Sequence, residues 1–330
     1  MRSTIFSLLG VALLVGLLSA CSQAPKPGPL ASLVQFDPAK GQLPEGLTVS
    51  KDALYVGMAP TSEVLRVTFD GKAIPYSQLP QVPPNQGFMT GMIFDKQGNL
   101  YVGLASFVPQ VQSGIYRVPP GGGQATLFAS GMSLPNGLAF DAKGNLFVSD
   151  TIASAVLQVT PDGKVTNWLE HPLLKGSRAV CGSKIPDFDV GPNGVAFNDN
   201  GDLFVLNTHG ATVVRVPVNK DGSAGTPDVY VGPDCPNLEG ADGIAVDAEG
   251  NIYVVDFLIH KLVKVDKDKK VTVLDSGGLL DSPASLAFGV GEDRQTLYIT
   301  NFAFVSASTG GTPKPGILKK EMGVKGRLLP

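Results

Sequence analysis

Pro135-Asn136-Gly137-Leu138-Ala139-Phe140-Asp141, then Lys143-Gly144-Asn145, then Leu146-Phe147-Val148-Ser149-Asp150, is the stretch whose reading decides the fold. An X-Gly pair opens a short apolar strand, a polar turn with Gly follows, and a second apolar strand returns. Val156-Leu157-Gln158-Val159 and the turn Pro161-Asp162-Gly163 complete the unit. The plan recurs at Pro192-Asn193-Gly194-Val195-Ala196-Phe197 with Leu203-Phe204-Val205, and at Ala241-Asp242-Gly243-Ile244-Ala245-Val246 with Ile252-Tyr253-Val254. It recurs again at Thr90-Gly91-Met92-Ile93-Phe94 with Leu100-Tyr101-Val102. Weaker copies are Pro44-Glu45-Gly46-Leu47-Thr48-Val49 with Leu54-Tyr55-Val56, and Pro283-Ala284-Ser285-Leu286-Ala287-Phe288 with Leu297-Tyr298-Ile299. The six copies are spaced 42–57 residues apart. A period near 45 built of strands reads as propeller blades, each a four-stranded sheet. The expected fold is therefore all-β, a six-bladed β-propeller. The last copy lacks an obvious fourth strand, and Leu33-Val34-Gln35-Phe36 has no other partner. The ring is thus expected to close by an N-terminal strand joining the last blade, which removes an open sheet edge.

Composition agrees. Glycine and proline together, 40 and 26 of 330 residues, make up a fifth of the chain against about 12% in average usage, as many tight turns require. After Cys21 no long stretch free of Gly and Pro has helical periodicity. A net charge of −3 excludes a basic nucleic-acid footprint. No composition break divides the repeats, so two β-sandwiches do not account for them.

The N-terminus reads as an address. Arg2 precedes the apolar run Ile5–Leu18, too short for a comfortable membrane span of about 20 residues. Leu18-Ser19-Ala20-Cys21 resembles the bacterial lipobox, which implies cleavage before Cys21 and lipidation of its thiol. A plain signal peptide with an incidental Cys is the other reading. The expected organisation is a lipoprotein signal peptide at 1–20, a Pro-rich linker at 21–30 carrying the lipid anchor, and the propeller at 31–330. The protein is then an exported lipoprotein of a bacterial cell envelope, on the periplasmic or cell-surface side, and touches the membrane only through its anchor. A monomer is expected. Export permits a disulfide between Cys181 and Cys235. A buried metal-binding or catalytic thiol is the competing reading, although no His spacing around either Cys fits zinc. Each Cys lies in an insertion just before an X-Gly strand, so a bridge would brace one rim of the ring.

The residue before the recurrent Gly opens the innermost strand of each blade and is expected to face the central channel. In order these are Glu45, Thr90, Asn136, Asn193, Asp242 and Ala284. Four are carboxylate or amide oxygen donors, the ligand chemistry of Ca2+ or another hard divalent cation, and neither His nor Cys is among them. Asn-Gly and Asp-Gly are also ordinary turn pairs, but turn chemistry does not ask for Glu45. A second ring, Asp150, Asn207, Asp256 and Asn301, follows the second strands and is expected to cap turns; a second cation, or support for the inner ring, is the other reading. His171, His209 and His260 are expected in turn or surface roles. Loops around Phe88, Phe107, Phe188 and Phe302 are candidates to line the channel mouth.

Pro44-Glu45-Gly46, Pro135-Asn136-Gly137-Leu138, Pro192-Asn193-Gly194-Val195 and Ala241-Asp242-Gly243-Ile244 resemble the metal-binding motifs of the gluconolactonase/regucalcin (senescence marker protein) family. Its relatives include diisopropylfluorophosphatase, bacterial lactonases and paraoxonases. The resemblance covers roughly residues 33 to 320. It implies a six-bladed propeller with calcium held by a Glu-Asn-Asn-Asp set, here Glu45, Asn136, Asn193 and Asp242. It further implies a calcium-dependent lactonase or esterase-like hydrolase acting on a small-molecule lactone or ester. Asp242 is then the catalytic general base or, in the phosphotriesterase-like variant, the nucleophile, and Asn136 a ligand or substrate contact. Phe88-Met89-Thr90, without Arg, departs from the family's sugar pockets and points to a more apolar site. Two alternatives remain at the level of sequence. One is a non-catalytic extracytoplasmic binding propeller for a protein or glycan with a structural calcium. The other is a condensing activity like that of strictosidine synthase.

Overall fold

The computed structural model describes residues 26–328; the expected signal peptide at 1–20 and Cys21 lie outside the described residues. Each copy of the repeat folds as an antiparallel four-stranded sheet, and six such sheets stand around one axis. Blade 1 comprises strands Pro44–Val49, Leu54–Met58, Glu63–Val67 and Ala73–Gln78, and a two-residue strand Gly123–Gln124 adds to its outer edge in parallel. Blade 3 comprises Pro135–Phe140, Leu146–Asp150, Ala155–Val159 and Val165–Glu170; blade 4 Pro192–Phe197, Leu203–Asn207, Thr212–Val216 and Asp228–Val231; blade 5 Ala241–Val246, Ile252–Asp256, Lys261–Val265 and Val271–Ser276. Blade 2 begins with Gly87–Phe94. Blade 6 takes Pro283–Phe288, Thr296–Asn301 and Gly316–Glu321 from the C-terminal end and Ala31–Gln35 from the N-terminal end. Val34 pairs with Ile317 and Gln35 with Gly316, so the ring closes by the N-terminal strand. Docking begins earlier still, since the Gly28 amide donates to the Glu321 carbonyl at 2.7 Å.

The hairpin turns use one device. Asp95 Oδ1 accepts the backbone N–H groups of Gln97 and Asn99, while its Oδ2 accepts the Asn99 side-chain amide at 2.7 Å. Asp141 with Asn145 and Asp247 with Asn251 repeat it, and in blade 4 Asn198 and Asp202 exchange roles. Here Gly is needed for its backbone: Gly98, Gly144, Gly201 and Gly250 all have φ of 83–85°.

The X-Gly glycines serve a different purpose. Gly46, Gly91, Gly137, Gly194 and Gly243 are not at positive φ, so the turn reading of these pairs does not hold. They lie within inner strands, each pressed against the next blade. A Cβ on Gly46 would stand 2.3 Å from the Thr90 carbonyl oxygen, on Gly137 2.4 Å from that of Asn193, and on Gly194 2.3 Å from that of Asp242. Blade-to-blade packing at this level therefore excludes any side chain. Side-chain hydroxyls stitch the same seam. Thr90 donates to the Pro135 carbonyl (2.7 Å), Ser149 to Asn193, Thr208 to Ala241 (2.7 Å) and Thr300 to Glu45 (2.7 Å). Thr90 thereby spends its hydroxyl on blade 3 rather than on the channel.

In all six blades the ladder between first and second strands slips by one residue at the X-Gly pair. Pro192 pairs with Asn207 but Val195 with Val205, and the equivalent shifts occur at 44/47, 89/92, 135/138, 241/244 and 283/286. A β-bulge re-aims the residue it contains. At the slip Glu45, Asn136, Asn193, Asp242 and Ala284 line the axial channel, whereas Thr90 of blade 2 stays between blades.

Candidate metal and substrate site

Glu45, Asn136, Asn193 and Asp242 all line one axial cavity of about 320 Å³. All four are buried, between 4% and 8% exposed, so whatever satisfies their polar atoms is not bulk water. Thr90 is fully buried and absent from the lining, and blade 6 contributes Ala284 and Ser285. The four oxygen-donor side chains read from the repeats thus line the same cavity.

Their electrostatics are unbalanced. Burial pushes the Glu45 carboxyl well above the usual carboxylate range, and the charge of Asp242 pushes it further. Burial likewise raises Asp242, offset in part by the Asn193 side-chain amide and reinforced by Asp256. No Lys or Arg shares this end of the cavity; Arg294 and Arg327 lie at its other end. Glu45 Oε2 is buried with no hydrogen-bond partner. Two buried carboxylates without a counter-charge are costly unless a cation pairs them.

The Asn193 amide is held in one orientation. Thr208 commits its proton to the Ala241 carbonyl, so its oxygen can only accept from the Asn193 Nδ2–H at 3.2 Å. That turns Nδ2 toward Thr208, and the same amide donates to Asp242. Thr208, which orients the Asn193 amide, is the residue that sequence reasoning missed. Its signal was a hydroxyl residue directly after the second strand, seen also in Asp150-Thr151. Among the described residues no three His, Cys, Asp or Glu side chains come together as a metal cluster. Any cation here would draw on two carboxylates and two amide carbonyls. Such an oxygen-only set with a net double negative charge suits a hard divalent ion and not zinc or copper.

The second ring braces loops. Asp256 accepts the backbone N–H groups of Gly240 (2.7 Å), Leu258 and Ile259 (3.0 Å each), and Asp150 those of Ser133 and Leu134. Asn207 and Asn301 tie down the loops at Leu173 and Leu279. Burial lifts Asp256 to about 7 despite its three donors. Of the histidines, His171 caps the short helix at Pro172 and His260 accepts from the Ser282 amide in a left-handed turn, both turn roles. His209 departs from a surface role. It is 1% exposed, accepts the Val190 amide through Nδ1, and burial lowers its pKa. None of Phe88, Phe107, Phe188 and Phe302 lines the cavity; Phe107 and Phe188 are exposed and Phe302 stacks on Phe304.

Cys181 and Cys235 form a disulfide across 54 residues. It joins the insertion before blade 4 to the short helix Cys235–Leu238 before blade 5, the two inner strands that carry Asn193 and Asp242. Ser183 donates to Glu239 across the same seam. In the chain-entropy treatment a loop of this length contributes about 4 kcal/mol. Replacing both cysteines by serine is expected to lower unfolding free energy by about 2–4 kcal/mol, read from the denaturant midpoint. An unchanged midpoint would show that the bridge does not restrain the unfolded chain.

Known proteins share this architecture. Residues 183–303 match the family model described as the SMP-30/Gluconolactonase/LRE-like region. That region holds Asn193, Thr208, Asp242 and one half of the disulfide, Cys235. Among solved structures a putative gluconolactonase aligns with 18% identity and a TM-score of 0.65, over 91% of this chain and 93% of that one. A calcium-binding regucalcin from Agrobacterium tumefaciens aligns with 18% identity and a TM-score of 0.64, over 88% and 93%. A gluconolactonase from Xanthomonas campestris gives 18% and 0.63, over 89% of each chain. At these identities the structural likeness establishes the six-bladed propeller. No curated protein matches the sequence.

Proposed function

We propose that the protein is a calcium-dependent lactonase or esterase-like hydrolase. The observation that carries this reading is the buried, uncompensated pair Glu45 and Asp242 set beside the amide side chains of Asn136 and Asn193 at the end of an axial cavity. Glu45, Asn136, Asn193 and Asp242 would hold the cation. Bound there, it would supply Lewis-acid polarisation of a lactone or ester carbonyl. The match of residues 183–303 to the gluconolactonase-like family model and a structural relative described as a calcium-binding protein support the same assignment.

The chain's own contribution is positional. Asn136 has the amide to orient the substrate oxygen, and Asn193 is pre-set by Thr208. Asp242 accepts the proton of an attacking water as the water oxygen bonds to the carbonyl carbon. The ring C–O bond then breaks, the departing oxygen takes that proton, and a hydroxy acid leaves. Burial excludes competing water from the carboxylates. Export with an anchor at Cys21 is proposed alongside; the Cys181–Cys235 disulfide supports an oxidising compartment.

The test is a panel of lactones, aryl esters and phosphotriesters with chelator-treated protein, with calcium restored, and with Asp242→Asn. Turnover that returns with calcium and falls by at least roughly 100-fold in the variant is expected, the scale on which removing one catalytic group acts. Calcium bound tightly without turnover of any substrate would favour a binding propeller instead.

A further inference from the structure

We propose that the axial channel seats a straight apolar tail, so that the substrates are lactones or esters of medium-length acyl chains. This deepens the hydrolase reading above and rests on it for the reacting end of the molecule. The four ring side chains stand at one end of the cavity, and the space that reaches them runs along the six inner strands. From Asn193 to Phe197 is four residue steps, or about 13 Å of strand. Along that length the walls are Leu138, Phe140, Phe197, Ile244, Val246 and Phe288. Among the side chains along that length only Thr48 and Ser285 carry hydroxyls, so a methylene chain gains more side-chain contact there than a sugar ring does.

Main chain partly crosses the far end. The segment 322–328 crosses beneath blades 5 and 6, with the Gly326 amide on the Arg294 carbonyl and the Arg327 amide on the Val246 carbonyl. Gly326 fits only because it has no side chain, since a Cβ would stand 2.2 Å from the Phe288 Cβ. Arg327 reaches on to Asp199 of blade 4 at 2.6 Å. Leu328, 69% exposed, borders the opening, so a longer tail can leave past an apolar side chain. A carbonyl at the ring and a tail toward Leu328 match this order of polar and apolar surfaces; the reverse orientation puts methylenes against two carboxylates.

Two measurements test the proposal. With calcium-loaded protein, kcat/KM across γ-butyrolactone, γ-octalactone and γ-dodecalactone is expected to rise about 4-fold for each methylene taken into the channel, from about 0.8 kcal/mol per buried CH2. Independently of turnover, dodecanol should raise Tm while butanol does not. Filling the channel by Leu138→Trp, or by Ala196→Phe from a different blade should the first variant fold poorly, should flatten both trends. Short lactones turned over with no length dependence and no dodecanol shift would overturn the tail seat and leave the hydrolase reading standing. A dodecanol shift that the channel-filling variants abolish, without turnover of any lactone, would uphold the seat and overturn the hydrolase reading. No shift and no turnover would overturn the seat.

Discussion

Gly194→Ala is expected to cost roughly 3 kcal/mol or more, an overpacking penalty at the top of the usual range. Gly201→Ala, a few residues along the same blade, should cost only about 1–2 kcal/mol. The two glycines exist for different reasons. Gly201 is at φ 85°, and beyond its own chain neighbours no heavy atom lies within 4 Å of where an alanine methyl would stand, so alanine meets backbone strain alone. Gly194 has no positive φ to accommodate, but its new Cβ would stand 2.3 Å from the Asp242 carbonyl oxygen and 3.1 Å from Ile244. The obstacle is main chain of the neighbouring blade and cannot rotate away, so blades 4 and 5 must part. Denaturant midpoints of the two variants measure the difference. The separation also moves Asp242 relative to Asn193, so Gly194→Ala should lose calcium-induced stabilisation while Gly201→Ala keeps it. Equal costs for the two would show that the inter-blade seam is looser than the close approach implies.

The blades were legible because strand alternation and turn glycines repeat at a fixed offset. The ring positions were legible because equivalent register in a rotationally repeated fold puts equivalent residues on the axis. Glu45 stood out for lacking any turn rationale. What the recurrent Gly does was not legible. Asn-Gly reads the same whether the Gly serves a positive φ or a close approach, and only the φ values and the carbonyl contacts separate Gly144 from Gly137. Thr208 was hidden for a similar reason, since its effect on Asn193 depends on which way one hydroxyl proton points. The burial of His209 follows from the insertion that folds over it, through the Val190 amide, and an insertion carries no periodic signal. The crossing of residues 322–328 beneath the channel joins Arg327 to Asp199 across 128 residues, a contact that no repeat encodes.

Glu45→Gln should change stability in opposite directions with and without metal. In metal-free protein the wild-type carboxylate is buried beside Asp242 with Oε2 unpartnered, and its pKa lies well above the ordinary value. A raised folded-state pKa means that the native state binds more protons than the unfolded state over that interval, so stability falls as pH rises above the ordinary carboxylate range. The neutral amide is nearly the same shape and removes one of the two opposed charges. At pH 8 without metal, Glu45→Gln is therefore expected to gain about 1–3 kcal/mol, the cost of an unsatisfied buried polar group, and to show a shallower decline with pH. Calcium reverses the order. A cation binding only the native state adds about 2.7 kcal/mol at a hundredfold excess over Kd, and wild type should show that gain while the variant loses most of it. The two unfolding curves would then cross as calcium is added. Loss of stability in the metal-free variant would mean that Glu45 is satisfied by a group of the chain itself. An undiminished calcium response would remove it from the ligand set, and with it the reason for two carboxylates on the axis of a ring otherwise closed by apolar strands.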